Sequence, residues 1–259
     1  QVNIGTIDEE MDHSFVYEEV ETSKVITTFD DLEDVEKSQI YGYRGAGPAE
    51  HPGIATVDGK KAVAFKSVSE ASTGVSFVYN WKDSMNALRE ELGKKENGYE
   101  GLELNLQMLG YETKEEQLTP LSSQDMYLLQ DTWNQYKVTL RSDNGLHYTT
   151  QEGTESTSNY IRANVKADSN HTVRLVFEDM YFTYQENGKT YTTYVNELSK
   201  EEMSEFLQGL SSIELAYTTC GGTIKKKVTT MVYLYSISAF TFFSLKLLLI
   251  IMLSNSYFL

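Results

Sequence analysis

The sequence has few of the residues that mark several common classes of protein. It contains one cysteine, Cys220, so an intrachain disulfide and a thiolate metal site are both excluded. We interpret Cys220 as a small buried residue beside a Gly-Gly turn, because no histidine lies in its segment to activate a thiol. Prolines number only three. The chain begins at Gln1 without a signal peptide pattern, and we expect a processed or partial sequence.

Basic residues are also scarce, at 22 Lys and Arg against 38 Asp and Glu. The resulting net charge of −16 argues against nucleic-acid binding, which requires basic patches to neutralise phosphates. It favours an extracellular or cell-surface protein that stays soluble through self-repulsion. The four histidines are scattered and form no metalloprotease helix or triad signature. No catalytic motif therefore identifies the function.

The chemistry of the chain changes abruptly near Cys220. All 38 acidic residues lie at or before Glu214, and residues 225–227 are three lysines. Residues 231–253 are almost uninterruptedly apolar and long enough to span a bilayer. Lys246 inside the run, and the lysines before it, are awkward for an anchor whose body lies outside the cell. Three interpretations stay open: an anchor, a final strand with a terminal tail, or a terminus altered by truncation or frame change.

The rest of the chain is rich in short segments with the two-residue alternation of half-buried strands. Turn sequences such as Asp58-Gly59, residues 143–145 and Asn187-Gly188 separate many of them. The predicted strands are residues 24–29, 39–43, 53–57, 61–66, 74–79, 101–109, 135–141, 160–165, 172–184, 190–195 and 212–218.

Two short helices interrupt these strands. Asp83 can cap a helix that ends near Gly93, and Ser199 with Glu202 forms a capping box before a second helix. This pattern predicts an all-β fold, an antiparallel β-sandwich or jelly roll with two short helices. Three regions follow: residues 1–24 as a linker or the end of a preceding domain, 25–236 as the sandwich, and 237–259 as a hydrophobic tail, an anchor or a non-native terminus.

Several motifs in the sandwich resemble those of carbohydrate-binding modules with the galactose-binding-like jelly-roll fold. The matching segments are TFDDLE (28–33), DGKKAVAF (58–65), YEGLEL (99–104), DTWNQYKV (131–138) and LSSIEL (210–215). The resemblance covers residues 25–236 and rests on the order of the motifs. The acidic pair of the family's last strand is missing, and its better match is Glu178-Asp179. The domain therefore ends near Tyr184 or, as we favour slightly, contains a large insertion and ends near Ser236.

The resemblance implies a structural Ca²⁺ held by acids of the first strand and of a later one. In this sequence those residues are Asp30, Asp31, Glu33 and Asp179. Ca²⁺ takes six to eight oxygen ligands, and carboxylates near a strand end can supply several. The alternative is a solvated acidic turn in a chain that is acidic throughout.

Sugar binding by this fold class would use aromatic rings, on which the apolar face of a sugar stacks, with polar neighbours for the hydroxyls. The candidate ligand-binding residues are Tyr41, Tyr43, Arg44, Tyr79 and Trp81. Tyr148, Tyr181 and Tyr184 are further aromatic candidates. Each of these rings taken alone is more simply a core residue. We assign Trp133 to the core, at the start of a strand.

We expect a non-catalytic glycan-binding module of a secreted or surface bacterial protein, within a larger multidomain chain, with a polysaccharide as its partner. Membrane contact through residues 231–253 stays open. One alternative is a glycan-degrading enzyme of the same fold, for which Glu103, Glu178 and Asp179 could face a groove. The other is a structural or adhesion sandwich without a sugar site, which predicts buried loop aromatics.

Overall fold

The computed structural model describes residues 19–28, 42–43, 53–57, 59–66, 74–79, 82–94, 98–115, 117–133, 135–168, 170–218 and 226–244. The chain divides into two compact units, Gln1–Thr22 with Phe242–Leu259, and Ser23–Thr241. Of the first unit only residues 19–22 and 242–244 are described, as ends of the first and last strands. The second unit contains the sheets discussed below.

The described residues form strands numbered in chain order. These are β1 Glu19–Thr28, β2 Gly42–Tyr43, β3 Gly53–Val57, β4 Lys60–Lys66, β5 Gly74–Tyr79, β6 Gly101–Lys114, β7 Gln117–Pro120, β8 Gln135–Thr149, β9 Glu155–Lys166, β10 Thr172–Val176, β11 Tyr181–Glu186, β12 Lys189–Tyr194, β13 Leu210–Thr218 and β14 Val228–Ser244. The helices are α1 Lys82–Leu92, α2 Ser123–Trp133 and α3 Lys200–Gln208, with 3-10 turns at Phe177–Asp179 and Val195–Glu197.

The strands build two sheets. The first has the order β10-β6-β14-β4-β3, with β7 added to β6 and β1 paired with β14. The second has the order β12-β11-β9-β8-β13-β5-β2. The neighbouring strands with a defined register all run antiparallel. The predicted all-β antiparallel sandwich is confirmed.

Alternate side chains of the long strand β6 are buried on one face of the first sheet. Leu102, Leu104 and Leu106 are each at most 2% exposed, while the residues between them are half-buried. Strand β14 continues the same buried face, because Ile237 pairs with Leu104 and Ala239 pairs with Leu102. The two-residue alternation of apolar side chains that predicted this strand therefore forms one side of the core.

The second sheet supplies the opposite wall in the same way. Val138 and Leu140 of β8, Ile161 of β9 and Ile213 and Leu215 of β13 are buried in the same apolar cluster as the leucines of β6. Residues between them in the sequence point to the other side of this sheet, since successive side chains of a strand alternate. That outer side is polar and aromatic, and it carries the candidate site.

Helices α1 and α3 confirm the two predicted helices, but α1 begins at Lys82, so Asp83 lies inside the helix and is not its cap. Ser199 Oγ accepts a hydrogen bond from the Glu202 amide at 3.2 Å, and the Ser199 amide donates to Glu202 Oε2 at 3.0 Å. The apolar side of each helix joins the core, with Leu88 and Phe206 both fully buried. A hydrogen bond links α3 to the end of α1: Ser204 Oγ donates to the Gly93 carbonyl at 3.2 Å.

A third helix, α2, corrects the interpretation of the segment around Trp133. The sequence placed Trp133 at the start of a strand, but it is the last residue of α2, and β8 begins at Gln135. Ser122 explains the helix start, because its Oγ accepts a hydrogen bond from the Asp125 amide at 3.2 Å. The segment 131–138, which the sequence predicted as one strand, therefore contains the end of α2 and the start of β8.

The apolar segment near the C-terminus is partly strand. β14 continues from Ser236, the predicted end of the sandwich, to Ser244, and pairs with both β6 and β4. Within the described ranges, no helix has the length and hydropathy needed to cross a bilayer.

Candidate functional site

The outer side of the second sheet brings aromatic and charged residues into a single row. Tyr194 pairs with Tyr181, Tyr181 with Arg162, Arg162 with Thr139, and Thr139 with Glu214. Five strands spaced about 4.8 Å apart make this row about 19 Å long. We call these five residues, together with Tyr160 and Asn164, the tyrosine–arginine face.

The two tyrosines at one end of the row form an accessible aromatic pair. Their ring centroids are 5.9 Å apart with an interplanar angle of 53°. Tyr194 is 46% exposed, and Tyr181 is half-buried. Asn164 Nδ2 donates a hydrogen bond to the Tyr181 hydroxyl at 3.2 Å and so orients that ring. The pair offers aromatic surface to a ligand on the sheet.

Arg162 occupies the middle of the row above a second aromatic ring. Its guanidinium carbon lies 4.3 Å from the ring centroid of Tyr160. The Tyr160 hydroxyl donates to the Thr183 carbonyl at 2.8 Å, which fixes the ring beneath the cation. Arg162 Nε is buried and has no hydrogen-bond partner among the residues that the structure describes. A desolvated cationic donor without a partner is costly, and a bound ligand oxygen would satisfy it.

The far end of the row is an ion pair. Arg141 Nη2 lies 3.4 Å from Glu214 Oε2, with the two side chains 51% and 16% exposed. Thr139 lies between Arg162 and Glu214 and is buried. The row therefore passes from aromatic rings through a cation to an ion pair, which gives a ligand both an apolar surface and directional hydrogen bonds.

Of the five predicted sugar-binding residues, the structure describes two, Tyr43 and Tyr79. Tyr41, Arg44 and Trp81 lie outside the described residues. Tyr43 lies on β2 and Tyr79 on β5, at the opposite edge of the second sheet from β12. Those assignments stay predictions.

The predicted calcium ligands are not brought together within the described residues. Asp30, Asp31 and Glu33 fall outside them, and Asp179 is exposed at the end of the 3-10 turn. Of the residues that the structure describes, no three or more His, Cys, Asp or Glu cluster closely enough to hold a metal ion. Calcium binding stays a prediction.

Three other tyrosines weighed from the sequence take different places. Tyr181 joins the tyrosine–arginine face, whereas Tyr148 and Tyr184 pack at the edge of the core. The Tyr148 centroid lies 4.8 Å from that of Phe182 and 5.0 Å from that of Tyr184. Sequence reasoning did not single out Tyr160, Arg162 or Tyr194, because no local motif shows that β9, β11 and β12 align them.

The carboxylates considered for glycan cleavage lie apart from the face. Glu103 is on the first sheet, where its Oε1 is 3.6 Å from Arg174 Nη1. Glu178 and Asp179 are exposed residues of one 3-10 turn. Their placement gives no reason to assign them to the row on the second sheet.

The strongest pKa shift of a carboxyl belongs to a structural cluster around α1. Hydrogen bonds from Lys24, Tyr99 and Lys94 lower the pKa of Glu91 to about 2. Burial and the hydrogen bond to Glu91 raise the pKa of Tyr99 to about 12. This cluster ties β1 to α1 and bears on stability.

A second cluster of ion pairs holds the segment before β14. Lys226 Nζ lies 2.8 Å from Asp125 Oδ2 and 3.3 Å from Glu112 Oε2. These contacts raise the pKa of Lys226 and help to lower those of Asp125 and Glu112. The cluster joins α2, β6 and the entry to β14.

No protein-family model matches the chain, and no curated protein does. Among solved structures, it is similar to the family 11 carbohydrate-binding module of the cellulosomal cellulase Lic26A-Cel5E of Clostridium thermocellum, at 14% identity and a TM-score of 0.36, covering 82% of this chain and 92% of that one. The same kind of module in complex with a β-1,3-1,4-mixed-linked tetrasaccharide is similar at 11% identity and a TM-score of 0.34, covering 84% and 94%.

A third similar structure is TmCBM61 in complex with β-1,4-galactotriose, at 8% identity and a TM-score of 0.21, covering 81% of this chain and 90% of that one. These solved structures are carbohydrate-binding modules, the family that the sequence motifs resemble.

Proposed function

We propose that this chain is a non-catalytic glycan-binding module that holds a polysaccharide across the tyrosine–arginine face. The observation that carries the proposal is the pair of Tyr181 and Tyr194, accessible on a sheet, with Arg162 and Asn164 beside it. An aromatic plane flanked by polar groups suits a sugar, which has apolar C–H faces and a rim of hydroxyls.

The row also suits an extended ligand. Its length of about 19 Å accommodates several sugar rings in line, lying across the strands. The tyrosines supply stacking surface at one end, and Arg141 with Glu214 supplies hydrogen-bond donors and acceptors at the other. A pre-formed row on a sheet loses little conformational entropy when the polymer binds.

The first experiment measures binding of the purified chain to a panel of soluble polysaccharides by affinity electrophoresis and calorimetry. We expect Tyr194→Ala to weaken binding at least about tenfold, because a lost stacking ring is worth more than about 1.4 kcal/mol. The matched control is Tyr127→Ala, since Tyr127 is 69% exposed on α2 and is not a residue of the face. Equal effects of both substitutions, or no binding by the folded chain, would overturn the proposal.

The ligand-binding residues predicted from the sequence belong in the same experiment. Tyr43→Ala, on β2, and Trp81→Ala test whether the polymer uses those residues. Loss of binding in these variants, with none in Tyr194→Ala, would reject the tyrosine–arginine face as the site.

We also propose that the module is secreted or displayed at a bacterial cell surface, as part of a larger chain, and that Asp30, Asp31, Glu33 and Asp179 bind a structural Ca²⁺. The acidity of the chain supports both ideas. Calcium should then raise the melting temperature, and Asp179→Asn should reduce that rise. Glu197→Gln, at another exposed acid, is the control. A melting temperature that ignores calcium would remove the metal from the proposal.

A further inference from the structure

We infer that the tyrosine–arginine face selects anionic polysaccharides, whose sugars carry carboxylate or sulfate groups, over neutral ones. This inference rests on the proposed function and names the ligand class of the same site. It follows from the charge of the face, the state of Arg162 and the geometry around that residue.

The charge around the face is opposite to that of the chain. The strand segments that carry the centre of the face are residues 137–141, 160–166 and 212–216 of β8, β9 and β13. Their charged residues are Lys137, Arg141, Arg162, Lys166 and Glu214. Four of the five are basic, in a chain whose net charge is −16. The single acid is already paired with Arg141, so the segments present a positive surface to a ligand.

This positive charge is not neutralised within the part of the chain that the structure describes. Lys137 and Arg162 have no ion-pair partner there, and both are half-buried. In the same part of the chain, the buried Arg162 Nε has no hydrogen-bond partner. Because a partly desolvated cation gains most from an opposite charge, an anion is the ligand group that stabilises this arrangement most.

The shape of the site also favours an anion. A guanidinium presents a planar fork of N–H donors that matches the two oxygens of a carboxylate or a sulfate. The Tyr160 ring, 4.3 Å away, supports one side of the Arg162 guanidinium. Tyr181 lies opposite Arg162 on the neighbouring strand. A sugar that stacks on Tyr181 and Tyr194 therefore places its acidic substituent near Arg162.

The test compares polymers that differ in charge but little in backbone. The full chain is titrated with polygalacturonate, with the same polymer after reduction of its carboxyl groups, with dextran sulfate and with dextran. Binding is measured at about 50 and about 200 mM salt, a range over which binding through several ionic contacts weakens strongly. We expect a charged polymer to bind at least about tenfold more tightly than its neutral counterpart, with the difference shrinking at higher salt.

The variants assign the selectivity to the face. Arg162→Gln should abolish the preference for charge while binding of the neutral polymer persists, and Arg162→Lys should restore only part of it, because Lys lacks the fork. Lys137→Gln is a second variant for use if Arg162→Gln lowers the melting temperature. Lys60→Gln, an exposed lysine on β4 of the other sheet, is the matched control.

Each outcome supports or rejects either the inference or the proposed function. Tighter binding of polygalacturonate identifies carboxylates as the ligand groups, and tighter binding of dextran sulfate alone identifies sulfates; both support the inference. Equal, salt-independent binding of charged and neutral polymers, with Tyr194→Ala still harmful, overturns the inference and leaves the proposed function intact. No binding of any polymer by the folded chain rejects the proposed function itself.

Discussion

The Tyr160 hydroxyl donates a hydrogen bond to the Thr183 carbonyl oxygen, 2.8 Å away on the next strand of the sheet. Arg162 of β9 is paired with Tyr181 of β11, and the side-chain hydrogen bond of Tyr160 is a second link between these two strands. The same Tyr160 ring lies beneath the Arg162 guanidinium. One tyrosine therefore couples the hairpin that carries Tyr181 and Tyr194 to the strand that carries Arg162.

Removing that hydroxyl should loosen the hairpin without opening a cavity. Tyr160→Phe is expected to lower the free energy of unfolding by about 1 kcal/mol, the usual worth of one hydrogen bond, and the melting temperature by about 2–4 °C. Amide hydrogen exchange should rise in residues 181–194, since the hairpin loses a tether to β9. Calorimetry and exchange by mass spectrometry measure the two effects.

Tyr127→Phe is the matched control for this substitution, because Tyr127 is 69% exposed on α2. It should change neither quantity. If Tyr160→Phe behaves like Tyr127→Phe, the bond to Thr183 does not hold the hairpin in place.

The cluster around Glu91 predicts a pH-dependent contribution to stability. Lys24 Nζ and the Tyr99 hydroxyl lie 2.5 Å and 2.8 Å from Glu91 Oε1, and Lys94 Nζ lies 3.0 Å from Oε2. Because these donors lower the pKa of Glu91 to about 2 in the folded state, its carboxylate stabilises the fold above about pH 4.5. That contribution is lost as the pH falls from about 4.5 towards 2.

Glu91→Gln should therefore destabilise the protein at pH 7 by about 1 kcal/mol, a modest value because the lysine partners are exposed. The difference between the variant and the original chain should shrink below pH 4.5. Chemical denaturation across the pH range measures it. Glu90→Gln, at the exposed neighbouring helix position, is the matched control. A difference that stays constant down to pH 2 would reject the ionic origin.

A buried serine in β8 gives a third prediction. Ser142 Oγ donates to the Phe206 carbonyl at 2.6 Å and accepts from the Asn144 amide at 3.1 Å, while only 4% of the residue is exposed. Ser142→Ala leaves both groups without this partner and should cost about 1–3 kcal/mol. Ser123→Ala, at an exposed serine of α2, should cost little by the same denaturation measurement. Equal costs would mean that the contact with α3 is not needed.

That serine belongs to a place where local sequence was misleading. Residues 143–145, Asp-Asn-Gly, predicted a turn between strands, but β8 runs through them with a bulge between Arg141 and Leu146. The end of α3 holds the bulge, because the Asp143 amide donates to the Gly209 carbonyl and Asn144 Nδ2 donates to the Glu205 carbonyl. A helix sixty residues later satisfies the backbone groups that a turn would have satisfied. No local pattern reveals this.

Other features could be predicted from the sequence because their causes are local. The turn at Asn187-Gly188 is confirmed, and both residues have the positive φ values that such a hairpin requires, 50° and 72°. The capping box at Ser199 is confirmed for the same reason. The candidate face could not be predicted from the sequence, since only the register of three strands aligns Tyr181, Arg162 and Tyr194. Their identities are in the sequence, but their alignment is a property of the sheet.

Strand β14 allows a direct test of what the apolar C-terminal segment does. Ile237 is 1% exposed and pairs with Leu104 in the centre of the first sheet. Ile237→Ala should cost about 2–5 kcal/mol, since it removes buried methyl groups and leaves a cavity, and should lower the melting temperature by at least about 4 °C. Tyr235→Ala on the same strand should cost less, because Tyr235 is 45% exposed. If the segment were a membrane anchor outside the folded body, both variants would melt like the original chain. A melting temperature that falls more for Ile237→Ala than for Tyr235→Ala would instead identify the segment as a structural strand, with one face in the core.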